Sequence, residues 1–194
     1  MGIDGKGVTA LVAGAGCPLR CQWCINKKLL KENKGVAVTA EELNEKVKCD
    51  DLYFRATGGG VTFGGGESLL HVDFYAHFRE VCSPEWKLCA ETSLAVPREN
   101  LEKAIKSIDE FIVDCKDMDP EIYHAYTGGD HSLMEENLCF LLAHADPERI
   151  VVRVPLIPEY NTEETRGRSV ERLTEMGVQR LDLFSYVIKE KNNV

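Results

Sequence analysis

The feature that most constrains this chain is a loop in which three cysteines fall within eight residues. Residues 16–26 read Gly-Cys-Pro-Leu-Arg-Cys-Gln-Trp-Cys-Ile-Asn, so Cys17, Cys21 and Cys24 have the spacing C-x3-C-x2-C. Cysteine thiolates are the usual ligands of iron–sulfur clusters, and three of them can hold three irons of a cubane cluster. The fourth iron would then lack a protein ligand, which leaves a coordination position open for chemistry.

Two other interpretations of this triplet are open. A tetrahedral zinc site needs a fourth ligand, and the sequence has no further C-x2-C pair and no H-x3-H pair to supply it. A disulfide framework is favoured less, because several cysteines lie in apolar, strand-like runs that are typical of buried thiols. The spacing therefore favours a cluster. The remaining cysteines are isolated along the chain: Cys49, Cys82, Cys89, Cys115 and Cys139.

Composition and charge limit the class of protein. The 194 residues are 44% hydrophobic and 28% charged, as in a globular protein, and we expect residues 1–194 to form a single domain. Eight cysteines indicate a reducing environment, so we expect a cytoplasmic location. Neither a signal peptide nor a membrane-spanning segment is expected. The formal net charge of -9 argues against nonspecific binding of nucleic acids.

Basic residues are nevertheless concentrated beside the cysteine triplet, with only Glu32 opposing them. A run of this kind is most often a solvated loop. The other interpretation is a docking surface for an acidic electron donor. We refer to these residues as the basic cluster: Arg20, Lys27, Lys28, Lys31 and Lys34.

Short apolar runs alternate with helical patterns along the chain. Strands are predicted at residues 8–14, 60–63, 87–92, 111–116, 150–157 and 181–186. Helices are predicted at residues 40–53, 68–81, 99–107, 132–145 and 162–176, with a short turn at 120–124. The first helix begins with a capping box at Thr39, and Leu43, Val47 and Leu52 are predicted to face inward.

Six strands separated by helices imply parallel pairing through right-handed crossovers. Because a closed barrel needs eight such units, we expect an α/β fold in the form of an open, partial (β/α)6 barrel. Working residues in such folds lie at the carboxyl ends of the strands. Polar residues occur at those ends in this sequence: Cys17 to Cys24, Glu67, Glu91, Thr92, Asp114, Lys116 and, within the fifth strand, Arg153.

The cysteine triplet after the first strand resembles the signature of the radical S-adenosylmethionine (SAM) enzymes. Within that superfamily the chain is most similar to the activating enzymes of glycyl radical enzymes, of the pyruvate formate-lyase activating type. The resemblance implies a partial TIM-like barrel, the radical SAM fold. The resembling stretches span nearly the whole chain: residues 3–7, 16–26, 58–70, 114–119, 126–128, 136–137 and 153–158, with Asn161.

The resemblance also implies a site. Cys17, Cys21 and Cys24 would bind a 4Fe-4S cluster, and the open iron would take the amino and carboxylate groups of SAM. Asp4 and Lys116 match residues that face SAM and the substrate peptide, and they would be catalytic. SAM would be bound by Trp23, Asn26, Gly64, Gly65, Gly66, Glu67, Glu91, Thr92, Asp114, Lys116 and Arg153.

Three of these residues also match positions that hold a monovalent cation: Glu91, Thr92 and Asp114. Glu91 replaces a shorter Asp of the family there. From the residues alone, two structural interpretations stay open. Glu67 is compatible with a carboxylate at a helix N-terminus, and Asp114 with Lys116 is compatible with an ion pair at the end of a strand.

The implied reaction begins when one electron enters the cluster and SAM is cleaved to methionine and a 5′-deoxyadenosyl radical. That radical would remove a hydrogen from a glycine of a partner glycyl radical enzyme under anaerobic conditions. Flavodoxin or ferredoxin would donate the electron, and a monomer is expected. The alternatives are a radical SAM enzyme acting on a small molecule or another peptide, and a cluster-binding electron-transfer protein that does not cleave SAM.

The sequence departs from the family in three places. No second group of clustered cysteines follows Cys24, so we expect one cluster and no ferredoxin-like insert. Val187 stands where the family commonly has a histidine after the tyrosine of the last strand. The chain also ends at Val194, before the C-terminal segment of longer relatives. These departures predict either rearranged substrate contacts or a target other than pyruvate formate-lyase.

Overall fold

Six parallel strands form one sheet in the part of the chain that a computed structural model describes, residues 5–30 and 35–187. Each strand pairs with the next in sequence order, and within these residues the first and last strands are not paired with each other. The sheet is therefore open, which confirms the expected partial barrel. Its strands are β1 (Thr9–Gly14), β2 (Gly60–Gly65), β3 (Lys87–Thr92), β4 (Glu110–Asp114), β5 (Ile150–Leu156) and β6 (Leu181–Ser185).

Helices return the chain between the strands, as parallel pairing requires. Side chains cap the N-termini of several helices. Thr39 forms the predicted capping box, and Asp130 and Thr162 accept hydrogen bonds from backbone N–H groups in the first turns of the helices that follow them. The helices are α1 (Ala40–Val47), α2 (Asp51–Thr57), α3 (Val72–Val81), α4 (Arg98–Ser107), α5 (Pro120–Thr127), α6 (His131–His144) and α7 (Glu163–Glu175).

The structure corrects the predicted helix at residues 40–53. A 3-10 turn at Lys48–Asp50 divides it into α1 and α2. The turn changes the phase of the helical pattern, so Leu43 and Val47 are buried as predicted, whereas the prediction for Leu52 is wrong: it is 74% exposed. Phe54 is the residue that α2 buries in the core.

The predicted short turn at residues 120–124 is also wrong, because this segment begins the helix α5. Asp119 caps it by accepting from the backbone N–H groups of Glu121 and Ile122, and Pro120 occupies its first turn, where proline is well tolerated. The helix ends at Gly128, which adopts a left-handed conformation with φ 68°.

The core lies between the sheet and the helices. Side chains alternate between the two faces of a strand, and Val61 and Phe63 of β2 face the helices, where the Phe63 ring stacks on Tyr75 at 4.0 Å. Thr62 lies on the other face, beside Cys89 of β3. That face carries polar residues toward the carboxyl ends of the strands. Among the described residues, no helix is both long enough and apolar enough to cross a membrane.

Candidate functional site

The loop that carries the cysteine triplet is hydrogen-bonded to the C-terminal end of α5. The backbone N–H of Arg20 donates to the carbonyl of Thr127 at 2.8 Å, and that of Gln22 donates to the carbonyl of Tyr126 at 3.1 Å. The last carbonyls of a helix have no partner within the helix, so α5 offers acceptors that hold the loop. Cys17, Cys21 and Cys24 are half-buried free thiols in this position.

Burial changes the ionisation of these thiols. It raises the pKa of Cys17 to about 11, and the neighbouring charges of Glu67, Cys21 and Cys24 act in the same direction. Burial also raises the pKa of Cys21, although the positive charge of Lys116 opposes the effect. A bound metal would reverse this tendency, because coordination deprotonates a thiol. The three thiols therefore lie close enough to influence one another, and Cys17 and Cys21 would ionise only when a cationic centre binds them.

The same thiols do not converge as the ligands of one ion would. Within the described ranges, no three side chains of His, Cys, Asp or Glu are arranged to hold a single metal ion. In a cubane cluster each thiolate binds a different iron, so the sulfur atoms need not converge on one point. The loop has the donors that a cluster requires.

The glycine segment at the end of β2, residues 64–66, packs directly against the cysteine loop. The N–H of Glu67 donates to the carbonyl of Gly16 at 2.8 Å, and the side-chain amide of Asn26 donates to the carbonyl of Gly65 at 3.0 Å. A Cβ at Gly66 would lie 2.0 Å from the carbonyl oxygen of Gly16. The close approach of the two backbones therefore requires glycine at position 66.

The carboxylate of Glu67 is enclosed and fully engaged. It is 1% exposed and accepts hydrogen bonds from the Leu69 N–H, the Thr92 hydroxyl at 2.6 Å, and both the N–H and the hydroxyl of Ser93. Burial raises the pKa of Glu67, and these donors oppose that effect. The carboxylate ties the end of β2 to the end of β3, and its bond to Leu69 matches the helix N-terminal interpretation.

Arg153 on β5 lies among three carboxylates. Its Nη1 is 3.0 Å from Oε1 of Glu91, and its Nε is 3.5 Å from Oδ2 of Asp182. In the sheet register Arg153 is the direct neighbour of both Asp114 and Asp182. Burial disfavours the charge of Arg153, but Asp114 and Glu91 raise its pKa. A Cβ at Gly64 would lie 2.6 Å from Oε2 of Glu91, so this glycine gives Glu91 the space that it occupies.

Lys116 lies just beyond β4, close to the cysteine loop. It is 8% exposed, its Nζ is 3.0 Å from Oδ2 of Asp114, and it donates to the hydroxyl of Tyr186 at 3.1 Å. Burial disfavours its charge, yet Asp114, Tyr186 and Cys21 hold its pKa well above the usual value. A buried ammonium therefore stands beside one of the three thiols.

Trp23 and Arg20 secure the cysteine loop further. The indole N–H of Trp23 donates to the carbonyl of Pro158 after β5 at 3.4 Å, and Nη1 of Arg20 donates to the carbonyls of Cys17 and Leu19. Of the basic cluster, Arg20, Lys27 and Lys28 are exposed. Asp4, Lys31 and Lys34 lie outside the described residues.

The structure therefore brings the predicted residues that it describes to the carboxyl ends of β1 to β5, while their roles toward a cofactor stay predictions. Sequence reasoning did not identify Ser93, Asp182 or Tyr186 as site residues. Ser93 directly follows the polar pair at the end of β3 and could have been found from that position. Tyr186 and Asp182 lie at the site because β6 pairs with β5. The register of that pairing cannot be read from the sequence.

Comparison with known proteins agrees with this geometry. The model of the radical SAM superfamily matches residues 11–178. The (2S)-3-sulfopropanediol dehydratase activating enzyme of Klebsiella oxytoca is 34% identical over 158 residues, which cover 79% of this chain and 49% of that enzyme. The pyruvate formate-lyase 1-activating enzyme of Escherichia coli K12 is 27% identical over 190 residues, which cover 95% of this chain and 76% of that enzyme.

A solved structure has the same fold. SuiB of Streptococcus suis, bound to S-adenosylmethionine, superposes with a TM-score of 0.71 at 15% identity, covering 96% of this chain and 42% of that protein. This chain thus corresponds to part of longer proteins, and it spans about half the length of the sulfopropanediol dehydratase activating enzyme. Since the superfamily model matches most of its residues, the chain belongs to the radical SAM superfamily.

Proposed function

We propose that this protein is a radical SAM enzyme that generates a glycyl radical on a partner enzyme. The observation that carries the proposal is its similarity to activating enzymes, which extends over 79% of the chain in one relative and 95% in another. The proposal treats residues 1–194 as one radical SAM domain without a ferredoxin-like insert.

The cysteine loop fits a 4Fe-4S cluster. Cys17, Cys21 and Cys24 are free and half-buried, and Cys24 lies close enough to the other two to raise the pKa of both. Three thiolates leave the fourth iron without a protein ligand. When bound, the cluster and SAM supply one-electron cleavage of the SAM carbon–sulfur bond and a 5′-deoxyadenosyl radical. The anchoring of the loop to the carbonyls of Tyr126 and Thr127 would keep the three thiols at the rim.

The SAM site would be built around the segments that contact the cysteine loop. Asn26 holds the Gly65 carbonyl, so it would fix the backbone that faces the methionyl part of SAM. Glu67 would support the pocket through Thr92 and Ser93, since its oxygens already accept four hydrogen bonds. The remaining SAM-binding residues of the proposal are Trp23, Gly64, Gly66, Glu91, Asp114, Lys116 and Arg153.

Lys116 would act where SAM and the substrate peptide meet. Its ammonium is kept protonated by Asp114 and directed by the Tyr186 hydroxyl, so it would orient an anionic or carbonyl group with a fixed positive charge and exclude water. Asp4 is its proposed catalytic companion. A monovalent cation at Glu91, Thr92 and Asp114 stays a prediction; in the structure these side chains contact Arg153, Glu67 and Lys116, respectively.

The open sheet would admit a peptide loop of a glycyl radical enzyme, and the exposed members of the basic cluster would receive flavodoxin or ferredoxin. We propose a monomer that works in a reducing cytoplasm, where the five cysteines outside the cluster loop would remain free thiols.

The test of this function is radical formation on a partner. The protein is reconstituted anaerobically with iron and sulfide and is then reduced. It is mixed with SAM and with glycyl radical enzymes that are encoded by neighbouring genes. A glycyl radical signal in electron paramagnetic resonance (EPR), absent with the Cys21→Ala variant and present with the Cys49→Ala control, is expected. Release of 5′-deoxyadenosine without a protein radical on any such partner would contradict it and favour a radical SAM enzyme with another substrate.

A further inference from the structure

Arg153 lies at the centre of a charged group on the face of the sheet that is turned away from the helices. Glu91 comes from β3, Asp114 from β4 and Asp182 from β6, while Arg153 itself is on β5. Its Nη1 lies 3.0 Å from Glu91 and its Nε 3.5 Å from Asp182. Four different strands therefore contribute to one group of charges.

The sheet register explains why these side chains meet. Asp114, Arg153 and Asp182 are directly paired across β4, β5 and β6, so they project from the same face in a row. Glu91 lies two strands away from Arg153 and reaches it across β4 through the full length of its side chain. The three carboxylates would repel one another, and a positive charge between them offsets that repulsion. Arg153 and Glu91 are largely buried, whereas the side chain of Asp182 is 51% exposed.

The guanidinium supplies that charge from within the protein. Arg153 is 9% exposed, and a planar guanidinium can donate to carboxylates in several directions at once. The other two residues predicted to hold a cation are engaged as well. The Thr92 hydroxyl donates to Glu67 at 2.6 Å and accepts from the Leu94 N–H at 2.9 Å, and Asp114 lies 3.0 Å from Lys116.

We propose that Arg153 is a built-in cation that replaces a monovalent metal ion at Glu91, Thr92 and Asp114. It is a positioning residue: it pairs with the carboxylates of Glu91 and Asp182 and lies beside Asp114 in the sheet, so it holds the side chains at this edge of the site in position without Na⁺ or K⁺. The part of this inference that concerns SAM binding rests on the proposed function, whereas the part that concerns the charged group does not.

The test compares the reconstituted protein in NaCl, KCl and choline chloride at equal ionic strength. Choline is too bulky for carboxylate oxygens to surround as they surround a small ion. The wild-type unfolding temperature is expected to be the same in the three salts. In Arg153→Gln the freed carboxylates are expected to take up Na⁺ or K⁺, which raises the unfolding temperature above its value in choline by about 2–4 °C.

A matched control separates this effect from a general response to salt. Arg180 pairs with Glu110 at 2.8 Å, at the amino end of the same sheet. Arg180→Gln also removes an arginine from an ion pair that spans β5, but it is expected to show no difference among the three salts. If Arg153→Gln does not fold, Arg153→Met, which also removes the positive charge and keeps a long side chain, is expected to show the same dependence.

A second measurement is the affinity of the protein for SAM, determined by equilibrium titration in the same salts. Wild-type affinity is expected to be independent of the cation, and that of Arg153→Gln to be at least about fivefold weaker in choline than in KCl. A wild-type protein that is stabilised by Na⁺ or K⁺ over choline would overturn the proposal, and so would an Arg153→Gln or Arg153→Met protein with no cation response. Absence of SAM binding in every salt would count against the proposed function only, because the unfolding temperatures still decide the role of Arg153.

Discussion

The ammonium of Lys116 donates a hydrogen bond to the hydroxyl of Tyr186 at 3.1 Å, which joins the segment after β4 to the residue that follows β6. Those two strands are separated by β5 in the sheet. The Tyr186 ring also packs edge-on toward Tyr126, whose carbonyl holds the cysteine loop. Tyr186 is thus connected, through Tyr126, with the loop that carries the cysteines.

Removing this hydroxyl should weaken the protein measurably. Tyr186→Phe leaves the buried Lys116 with one acceptor fewer, and an unsatisfied buried donor costs about 1–3 kcal/mol in the free energy of unfolding. Urea denaturation of the variant measures the loss. Tyr53→Phe, on an exposed tyrosine of α2, is the control and should change little. Equal stability of the two variants would mean that the Lys116 contact contributes nothing.

The carboxylate of Glu67 should be required as an acceptor rather than as a charge alone. Glu67→Gln keeps the size of the side chain but replaces one acceptor oxygen by an amide donor, which would face groups that all donate to it. We expect a loss of about 2–3 kcal/mol in stability, measured by chemical denaturation. Glu80→Gln, on the exposed side of α3, should be neutral. An unaffected Glu67→Gln protein would show that the network around this carboxylate is unimportant.

Two glycine substitutions should act in opposite directions. Gly66→Ala places a methyl group 2.0 Å from the Gly16 carbonyl oxygen, so the two loops must separate, and we expect poor cluster incorporation together with reduced stability. Gly167→Ala, within α7, meets nothing within 4 Å and should stabilise the helix by up to about 1 kcal/mol. Iron content after reconstitution and thermal unfolding measure both effects. Normal iron content in Gly66→Ala would contradict the close approach.

The raised pKa of Cys17 predicts how the stability of the metal-free protein depends on pH. The folded state favours the neutral thiol, whose pKa rises from 9.0 to about 11 because the thiol is buried. This contribution to stability is therefore fully present below pH 9 and is lost as the pH rises toward 11. Denaturation at a series of alkaline pH values should show the decline, and Cys17→Ser should make it shallower, since a serine hydroxyl does not titrate there while Cys21 and the other buried thiols still do. The same slope in both proteins would assign the decline to other groups.

Much of the fold could be predicted from local patterns. Runs such as residues 88–92 and 111–114 are apolar and end in polar residues, and that pattern located the strands and the edge of the sheet where the site lies. The cysteine spacing located the candidate cluster loop, because all three thiols lie within one short segment and their proximity does not depend on distant parts of the chain. Position 52 was assigned wrongly since the 3-10 turn before α2 shifts the helical phase, which depends on how the short helices pack.

The contacts within the site were harder to predict, for a physical reason. Arg153 and Asp182 become neighbours only because β5 and β6 pair in one particular register. Ser93 reaches Glu67 because the ends of β2 and β3 are adjacent, and 26 residues separate the two in sequence. Sequence patterns specify which residues are polar at strand ends, but strand pairing decides which of them touch.

The most direct test of the account is the response of the cluster to SAM. The protein is reconstituted anaerobically and reduced, and its EPR spectrum is recorded before and after SAM is added. Because three cysteines leave one iron open, SAM should change the cluster signal, and 5′-deoxyadenosine should be released on further reduction. A normal reduced-cluster signal that SAM leaves unchanged, without 5′-deoxyadenosine, would contradict the claim that the cysteine loop supports a SAM-cleaving cluster.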